Sequence, residues 1–443
     1  MGNIRDLTRR ASKNASPDLP GKTPLPILLM IVTACLWTSS SVAAPWDIAK
    51  QNMRNRGVDL NFRYDGDLGV DVSGGKKRGA TYSGLLNLQA SLDGDRLAGL
   101  KGISVFFNGL VIHGRDPSDF VGDAQGLSNI AAPASAYLYQ AWIQYVSDGK
   151  TISILAGRYD VSGEFYQAHT AGLFMNSSFG IGPDFSQSGA AGPSIFPYTA
   201  LGARVSYRPI PRLTVRAAIL DGAPIRHAKD TTALFNRGDG VLLVSELDYH
   251  TGVGNGHRFD TKRSILRRIA GQPPYHGKIA FGVWHYTATF SDLSTLDSFG
   301  RPVQRRGSSG AYAVADFLVY RREHHPRRYI SSFLQFGIAD ERTNRFSKYV
   351  GIGAVAHGFV PHRPLDQFGL AAAIALNGSH YLRDQQLLGD PANAAETSIE
   401  LTYLTQLKSW FGVQTDAQYI INPNTDPAIN NALAFQIKFE ASF

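Results

Sequence analysis

The last eleven residues of the chain alternate between apolar and hydrophilic side chains. In LAFQIKFEASF one parity is apolar and ends on Phe443, whereas the other carries Gln436, Lys438 and Glu440. Successive side chains of a β-strand point to opposite faces of the sheet. This segment is therefore predicted to form a strand with one apolar face and one hydrophilic face.

The same alternation recurs along most of the chain. In VDLNFRYDGDLGVDVS, residues 58–73, the even positions are apolar or glycine, and most odd positions are charged or amide side chains that include Arg63 and Asp65. Counting the segments that alternate in this way predicts sixteen strands, of which those near residues 277 and 311 are the least clear. They lie near 58–73, 81–93, 102–113, 136–147, 151–160, 200–209, 212–221, 240–250, 277–290, 311–321, 328–341, 348–359, 366–377, 396–408, 411–421 and 432–443.

The connections between these segments also alternate, in length. Short turns follow even-numbered strands at SDGK, RPIPR and KSW. One connection, 251–276, is long and basic where a short turn is expected, so either a strand is misplaced there or the turn carries an insertion. Short turns on one side and long loops on the other are typical of outer-membrane barrels. The longer loops are predicted at 114–135, 161–199, 222–239, 291–310 and 378–395.

These patterns predict an all-β fold, a 16-stranded antiparallel transmembrane β-barrel with a short N-terminal helix and an inward-folded external loop. A closed barrel satisfies its backbone hydrogen bonds between strands, as the bilayer requires. A large secreted β-sandwich or propeller would also alternate, but its outward face would be the polar one. Strands of ten or more residues, aromatic residues near strand ends and the final Phe443 favour the barrel.

The N-terminus carries an export signal. Basic residues precede an apolar run, LPILLMIVTACLW at 25–37, and a stretch of small residues resembling a signal-peptidase site follows it. We expect residues 1–43 to be a signal peptide, 44–58 a periplasmic N-terminal segment and 59–443 the outer-membrane barrel. The alternative is a lipoprotein, in which Cys35 of the VTAC box would be acylated.

Composition narrows the class of protein further. Removing five of the 44 basic and two of the 36 acidic residues with the predicted leader leaves a net charge of about +5. This mild excess, without a basic run interleaved with aromatics, argues against nucleic-acid binding. The histidines, including His324 and His325, lack the spacing of metal ligands, and no GxSxG elbow or phosphate loop is present. We therefore expect no enzyme, cofactor or metal site; an outer-membrane lipase with a concealed Ser/His pair is the enzymatic alternative.

Several segments of the chain carry a family resemblance. They are Trp46, Ala49 and Gly57 near the mature N-terminus, GRYDVSGEF (Gly157–Phe165), LFMNSSFG (Leu173–Gly180) and the tail ELTYLTQLKSWFGVQTDAQYIINP (Glu400–Pro423). The chain resembles the carbohydrate-selective porins (OprB-type) of Gram-negative outer membranes. This resemblance implies passive diffusion of small hydrophilic solutes, with monosaccharides and other carbohydrates preferred. A weakly selective or anion-preferring porin is the alternative.

The same resemblance implies the partners. Carbohydrates would be the solutes, outer-membrane lipid would surround the wall, and a homo-oligomer is possible because an oligomer contact would resemble lipid-facing surface. The terminal Phe443 on an alternating strand resembles the signal that the barrel assembly machinery recognises.

A sugar site needs aromatic platforms beside hydrogen-bond donors and acceptors. In YLYQAWIQY, Trp142 lies on the polar parity between Gln140 and Gln144, which makes it a candidate platform. The alternative is an aromatic residue packed under an inward-folded loop. The lipid face of this strand is predicted to carry Tyr137, Tyr139, Ala141, Ile143 and Tyr145.

Charged residues cluster where the longest external loop begins. Arg158 and Asp160 share parity on the fifth strand, and Glu164 and Phe165 open the loop 161–199, the candidate constriction. An arginine fork with a carboxylate can bind adjacent hydroxyl groups. The alternative is a lid on the outer surface whose charges are merely paired with each other.

Inward positions of the predicted strands carry both signs of charge, which favours neutral solutes over anions. Many such charges only solvate a wall or form cross-strand pairs, as Arg216 and Asp416 can. The candidate pore-lining or solute-binding residues are Arg63, Asp65, Trp142, Arg158, Asp160, Glu164, Phe165, Arg204, Glu396 and Glu400.

Overall fold

The structure, a computed structural model, describes residues 43–224, 238–252, 276–325 and 327–443. The predicted leader up to residue 42 and most of the basic segment 251–276 lie outside these residues. The described chain divides into two compact units. Helix α1 (Ala43–Asn55) belongs to the first, and the second is Arg56–Phe443.

Within the described residues, sixteen antiparallel strands form a closed barrel, in which each strand pairs with its sequence neighbours and β1 pairs with β16. All sixteen predicted strands are confirmed, including the two least clear ones. The strands are β1 (Val58–Gly75), β2 (Gly79–Asp93), β3 (Ile103–Gly114), β4 (Ser135–Val146), β5 (Ile152–Tyr159), β6 (Ala200–Ile210), β7 (Leu213–Asp221), β8 (Val241–Thr251), β9 (Gly277–Leu296), β10 (Pro302–Arg321), β11 (Tyr329–Ala339), β12 (Phe346–His357), β13 (Gln367–Asn377), β14 (Ala395–Lys408), β15 (Phe411–Ile421) and β16 (Asn430–Ser442).

Short helices occur in the connections. No helix among the described residues is both long enough and apolar enough to cross a bilayer. In the described part of the chain, the α-helices after α1 are α2 (Gly94–Ala98), α3 (Ser118–Val121), α4 (Pro183–Ser186) and α5 (Ser379–Leu388). Single 3-10 turns span Val161–Gly163, Thr170–Leu173, Ser177–Phe179 and Pro423–Thr425.

The apolar parity of the strands forms the outer face of the barrel. In β16, Phe435 and Ile437 are 46% and 50% exposed, whereas Gln436 and Lys438 are 2% and 4% exposed. A transmembrane barrel needs this arrangement, because lipid surrounds its outer wall and polar groups face its interior. The predicted orientation of the two faces is therefore confirmed.

The barrel closes where β1 pairs with β16, and the last residue extends that pairing. The amide of Phe443 donates to the carbonyl of Phe62 at 2.8 Å, and the amide of Phe62 donates back at 3.2 Å. The Phe443 ring also stacks on Trp410 at a centroid distance of 5.9 Å. The alternating tail is thus the strand that completes the cylinder.

The predicted face of Tyr137 and Tyr139 in β4 is wrong. A register shift between β3 and β4 inserts a β-bulge near Tyr139, which reverses the side-chain parity of the residues before it. Leu138 is exposed on the outer face beside Ile143 and Tyr145, and Tyr139 is buried. The bulge therefore turns the start of this strand over by one residue.

The predicted external loop 291–310 is also wrong, because β9 and β10 continue through most of it as a long hairpin. Only residues 297–301 connect them. The outward row of β9 is apolar at Phe281 and Val283 but polar from His285 to Ser291. Where a strand extends past the apolar belt, its outward side chains are also polar. The alternation that predicts a strand from the sequence is then absent.

Among the connections that the structure describes, 115–134 and 160–199 fold into the barrel, and 160–199 fulfils the prediction of an inward-folded loop. Its aromatic side chains pack against inward-facing aromatics of the wall in a single apolar cluster. Phe185, for example, stacks on Trp284 at 5.2 Å, and Phe179 meets Phe333 edge to face at 5.7 Å. The other connection, 115–134, hydrogen-bonds to the inner wall through β14 and β15.

Candidate functional site: the lumen beside the inward loop

The inward loop begins with an ion pair of fork geometry. Glu164 accepts a hydrogen bond from Nη2 of Arg204 on β6 at 2.9 Å, and its other oxygen lies 2.7 Å from Nε of the same guanidinium. The hydroxyl of Tyr159 donates to the same carboxylate at 2.6 Å, and Ser153 accepts from Arg204 at 2.7 Å. The charge-assisted hydrogen bond and the second short contact hold the two groups against each other. The sequence predicted Glu164 at the constriction and Arg204 among the inward charges of the strands, and the structure pairs the two.

A second charged network lies on the neighbouring strands. Arg216 on β7 pairs with Glu246 at 3.1 Å and with Asp248, both on β8. Lys278 on β9 reaches Asp248 at 3.2 Å. Arg216 also lies within electrostatic range of Glu164, which joins this network to the first pair. Together the two networks hold three carboxylates and three cations, a formal charge of zero.

Exposure separates the residues that a solute can reach from those that support them. The side chains of Glu164 and Arg216 are 15% and 12% exposed, whereas Arg204 is fully buried. Glu164 supplies acceptors and Arg216 supplies donors. Glu164 and Arg216 are therefore the accessible polar groups of this part of the wall, and Arg204 orients Glu164 from behind.

Arg63 and Asp65 form a separate pair on β1. The Arg63 Nε lies 2.8 Å from an Asp65 oxygen, and Asp65 stands directly opposite Glu440 of β16. Arg63 keeps 17% of its side chain exposed, whereas Asp65 is buried. The cation thus compensates two neighbouring carboxylates and still faces the lumen.

Trp142 and Phe165 face the interior but are buried. Trp142 packs against Phe106 at a centroid distance of 5.0 Å and donates from Nε1 to Gln140 at 3.1 Å. Both residues belong to the apolar cluster between the loop and the wall. This matches the packed-aromatic alternative for Trp142, and solute contact by either residue stays a prediction.

Arg158 and Asp160 brace the two ends of the inward loop. Arg158 shares parity with the exposed Ile154 and donates to the carbonyl of Thr199 at 2.7 Å, where the loop ends. Asp160 accepts from the amide and hydroxyl of Ser162 at 2.8 and 2.6 Å, where the loop begins. Both contacts are to the loop, and a role in solute binding stays a prediction.

Glu396 and Glu400 point inward from β14, as their parity predicts, but their oxygens face loop backbone. Glu400 accepts from the amides of Met175 and Asn176 at 2.6 and 2.9 Å. Glu396 accepts from two successive amides of the connection 115–134, at 2.8 and 3.0 Å. Both carboxylates are fully buried. Both carboxylates therefore hold an inward-folded connection against the wall.

The acids and the lysine of the second network were missed from the sequence. Glu246 and Asp248 share the parity of Leu242 and Val244 in VLLVSELDYH, so alternation alone would have marked them as inward. Lys278 stands at the very start of β9, where alternation has not yet begun. Its role depends on contacts that periodicity does not encode.

The inward loop carries a buried acid of its own. Asp184 is completely buried, accepts from the Tyr166 hydroxyl at 3.3 Å, and has one oxygen without a hydrogen-bond partner among the described residues. Burial raises the pKa of Asp184 well above its ordinary value. In the connection 115–134, burial and the nearby Glu396 raise the pKa of Asp123 to about 7. The described residues contain no group of three or more side chains arranged to hold a metal ion.

Comparison with known proteins adds the family. The profile of the family described as "Carbohydrate-selective porin, OprB family" matches residues 77–443. The chain belongs to this family. The OprB family is one of channels and not of enzymes, and its members lie in the Gram-negative outer membrane. Membership confirms the predicted carbohydrate-selective porin function and the outer-membrane location.

Individual relatives agree with this assignment. Porin B of Pseudomonas aeruginosa is 24% identical over 434 residues, which cover 90% of each chain. The high-pH structure of Pseudomonas putida OprB superposes with a TM-score of 0.77 at 21% identity, over 90% of this chain and 97% of that one. Its low-pH structure gives a TM-score of 0.56 at 17% identity, over 90% and 96%. At these identities the structures show that the barrel fold is shared.

Proposed function

We propose that this carbohydrate-selective porin prefers neutral monosaccharides, and that its selecting region is the charge-balanced network around Glu164, Arg204 and Arg216. One observation carries the proposal. Each accessible charge of this region has an opposite charge within 3.1 Å. A wall with polar groups but no formal net charge favours neutral polar solutes over ions of either sign.

The two accessible groups suit a sugar hydroxyl edge. A hydroxyl both donates and accepts, so it can donate to the Glu164 carboxylate while a neighbouring hydroxyl accepts from Arg216. Hydrogen bonds to ionised groups are stronger than those between neutral groups. They can therefore replace the hydrogen bonds to water that a sugar gives up when it enters the narrow part of the pore. A monosaccharide is favoured over longer chains because the inward loop occupies part of the lumen.

An anion-preferring pore has less support. It would need cations in excess of carboxylates at the accessible wall, and Arg216 is paired with both Glu246 and Asp248. Arg63 is likewise held by Asp65. The attraction of an anion to either guanidinium is offset by repulsion from the adjacent carboxylates.

Liposome swelling tests the proposal. Vesicles containing the purified porin are transferred into isotonic glucose, the anion gluconate or a trisaccharide, and the initial swelling rates are compared. We expect glucose to enter fastest, gluconate more slowly at nearly equal size, and the trisaccharide slowest. Entry of gluconate as fast as glucose would remove the neutral-sugar preference.

Two further assignments belong to biogenesis. We infer that residues 1–43 are removed on export, so the mature chain would begin at Ala44, which N-terminal sequencing of the membrane protein checks.

We also infer that Phe443 serves as the recognition signal for the barrel assembly machinery. Its aromatic ring at the C-terminal end of the closing strand, 43% exposed, supports that role.

A further inference from the structure

The inward loop 160–199 is tied to the barrel wall through its own backbone. Glu246 on β8 accepts from the Tyr166 amide at 2.7 Å. Asp316 on β10 accepts from the Thr170 amide at 2.9 Å and from the Thr170 hydroxyl at 2.6 Å. With the two amides held by Glu400 on β14, three wall carboxylates secure the loop at three successive points.

Wall donors secure the same loop through its carbonyl groups. The side-chain amide of Gln414 donates to the carbonyl of Leu173 at 2.7 Å, and that of Gln335 donates to the carbonyl of Phe179 at 3.1 Å. Acceptors on the wall thus meet loop amides, and donors on the wall meet loop carbonyls. The wall replaces the partners that a surface loop would find in water.

The three carboxylates are inaccessible to solute. Glu246 and Asp316 are 2% exposed and Glu400 is fully buried. Their contribution to permeation must therefore act through the loop they hold. Replacing one of these carboxylates with a side chain that has no acceptor would leave a buried loop amide unpaired. The cost of that unpaired amide favours release of that part of the loop.

We propose that Glu246, Asp316 and Glu400 are positioning residues that set the size limit of the pore by holding the inward loop in the lumen. This inference deepens the proposed function, on which it rests, because it names what fixes the width of the selecting region. Solute charge is selected by Glu164 and Arg216, whereas solute size is selected by the three anchors.

Glu246 connects the anchors to the selecting region. The residue it holds, Tyr166, has a φ of +59°, a left-handed backbone that is uncommon outside glycine. The Tyr166 ring stacks on Tyr312 at 4.1 Å, and the Tyr312 hydroxyl donates to Glu246 at 2.7 Å. Glu164 lies only two residues earlier, so this strained position fixes where its carboxylate stands.

Single substitutions of each anchor test the proposal: Glu246→Gln, Asp316→Asn, Glu400→Gln and Glu400→Ala. Each is compared with wild type for the ratio of trisaccharide to glucose swelling rates and for single-channel conductance. We expect the ratio to rise several-fold and the conductance to increase. Glu400→Gln should lie between wild type and Glu400→Ala, because an amide side chain keeps one acceptor oxygen.

A matched control is Asp340→Asn. Asp340 pairs with Arg342 at 2.7 Å in the connection after β11 and has no hydrogen bond or ion pair with the inward loop among the described residues. It should leave the ratio unchanged. Single-channel recording counts only inserted barrels, so a variant that folds poorly still reports on the pore it forms.

The two proposals fail in different ways. If all four anchor variants insert and keep the wild-type size ratio, the anchoring inference is overturned while the preference for neutral sugars stands. If wild type admits gluconate as readily as glucose, the charge assignment fails, whereas the size series uses neutral sugars alone and still decides the anchoring inference.

Discussion

Among individual side chains, the inward-facing acids differ in the donors that bind their oxygens. Glu400 accepts hydrogen bonds from loop amides, whereas Glu164 accepts one from the guanidinium of Arg204. Alternation in the sequence predicted that both would point inward. It could not predict their partners, because those are set by the path of a loop whose contacts lie more than two hundred residues away from Glu400 in the chain.

Neutralising either accessible charge of the selecting region should change ion selectivity, in opposite directions for the two charges. Glu164→Gln leaves one excess positive charge and should shift the reversal potential in a KCl gradient toward that of chloride. Arg216→Gln leaves one excess negative charge and should shift it toward that of potassium. Shifts of the same sign in both variants would contradict a balanced network.

The buried carboxyl of Asp184 should make stability depend on pH. Its raised pKa means that the folded protein binds this proton more tightly than the unfolded chain. The contribution of this proton to the free energy of unfolding is therefore complete below the ordinary carboxyl pKa of about 4. It is lost as the pH rises through the raised pKa of the folded state. Asp184→Asn should reduce this decrease in stability between low and high pH, because the amide does not titrate.

Circular dichroism in detergent checks this expectation through the apparent unfolding temperature at pH 4 and pH 8. The wild-type temperature should fall more between the two values than that of Asp184→Asn. Asp340→Asn serves as the control, since the hydrogen bond from Arg342 lowers the pKa of that partly exposed carboxyl. Equal falls in wild type and Asp184→Asn would contradict the buried, protonated state.

Among the strands and loops, periodicity predicted what exists but not every detail of its geometry. The bulge in β4 escaped because Tyr137, Leu138 and Tyr139 each suit an apolar surface, so a change of parity leaves no trace in the sequence. The long hairpin of β9 and β10 escaped because its outer part projects past the apolar belt. Both errors arise where side-chain polarity ceases to report which way a residue faces.

The closing strand should depend on its last residue for assembly. Phe443→Ala removes the terminal ring but keeps the backbone pairing with Phe62, so we expect less folded barrel in the outer membrane. Phe435→Ala on the same outer row is the matched control, because it removes an equal ring away from the terminus. Heat-modifiable migration on gels measures the folded fraction; equal losses in both variants would contradict a terminal signal.

For the barrel with its loops, the sequence predicted the fold, its sixteen strands and the inward loop, because each leaves a periodic or length signal. The selecting region was predicted only in part. Glu164 and Arg204 were named, whereas Glu246 and Lys278 were not. Trp142, the predicted sugar platform, packs under the loop because the apolar cluster needs large side chains where the loop meets the wall.

The most direct test of the central claim is a high-resolution structure determined with glucose in the pore. We predict sugar hydroxyls within hydrogen-bond distance of the Glu164 carboxylate and the Arg216 guanidinium, with the inward loop still held by its three wall carboxylates. Glucose bound elsewhere in the lumen, with both groups contacting only each other and water, would contradict the account.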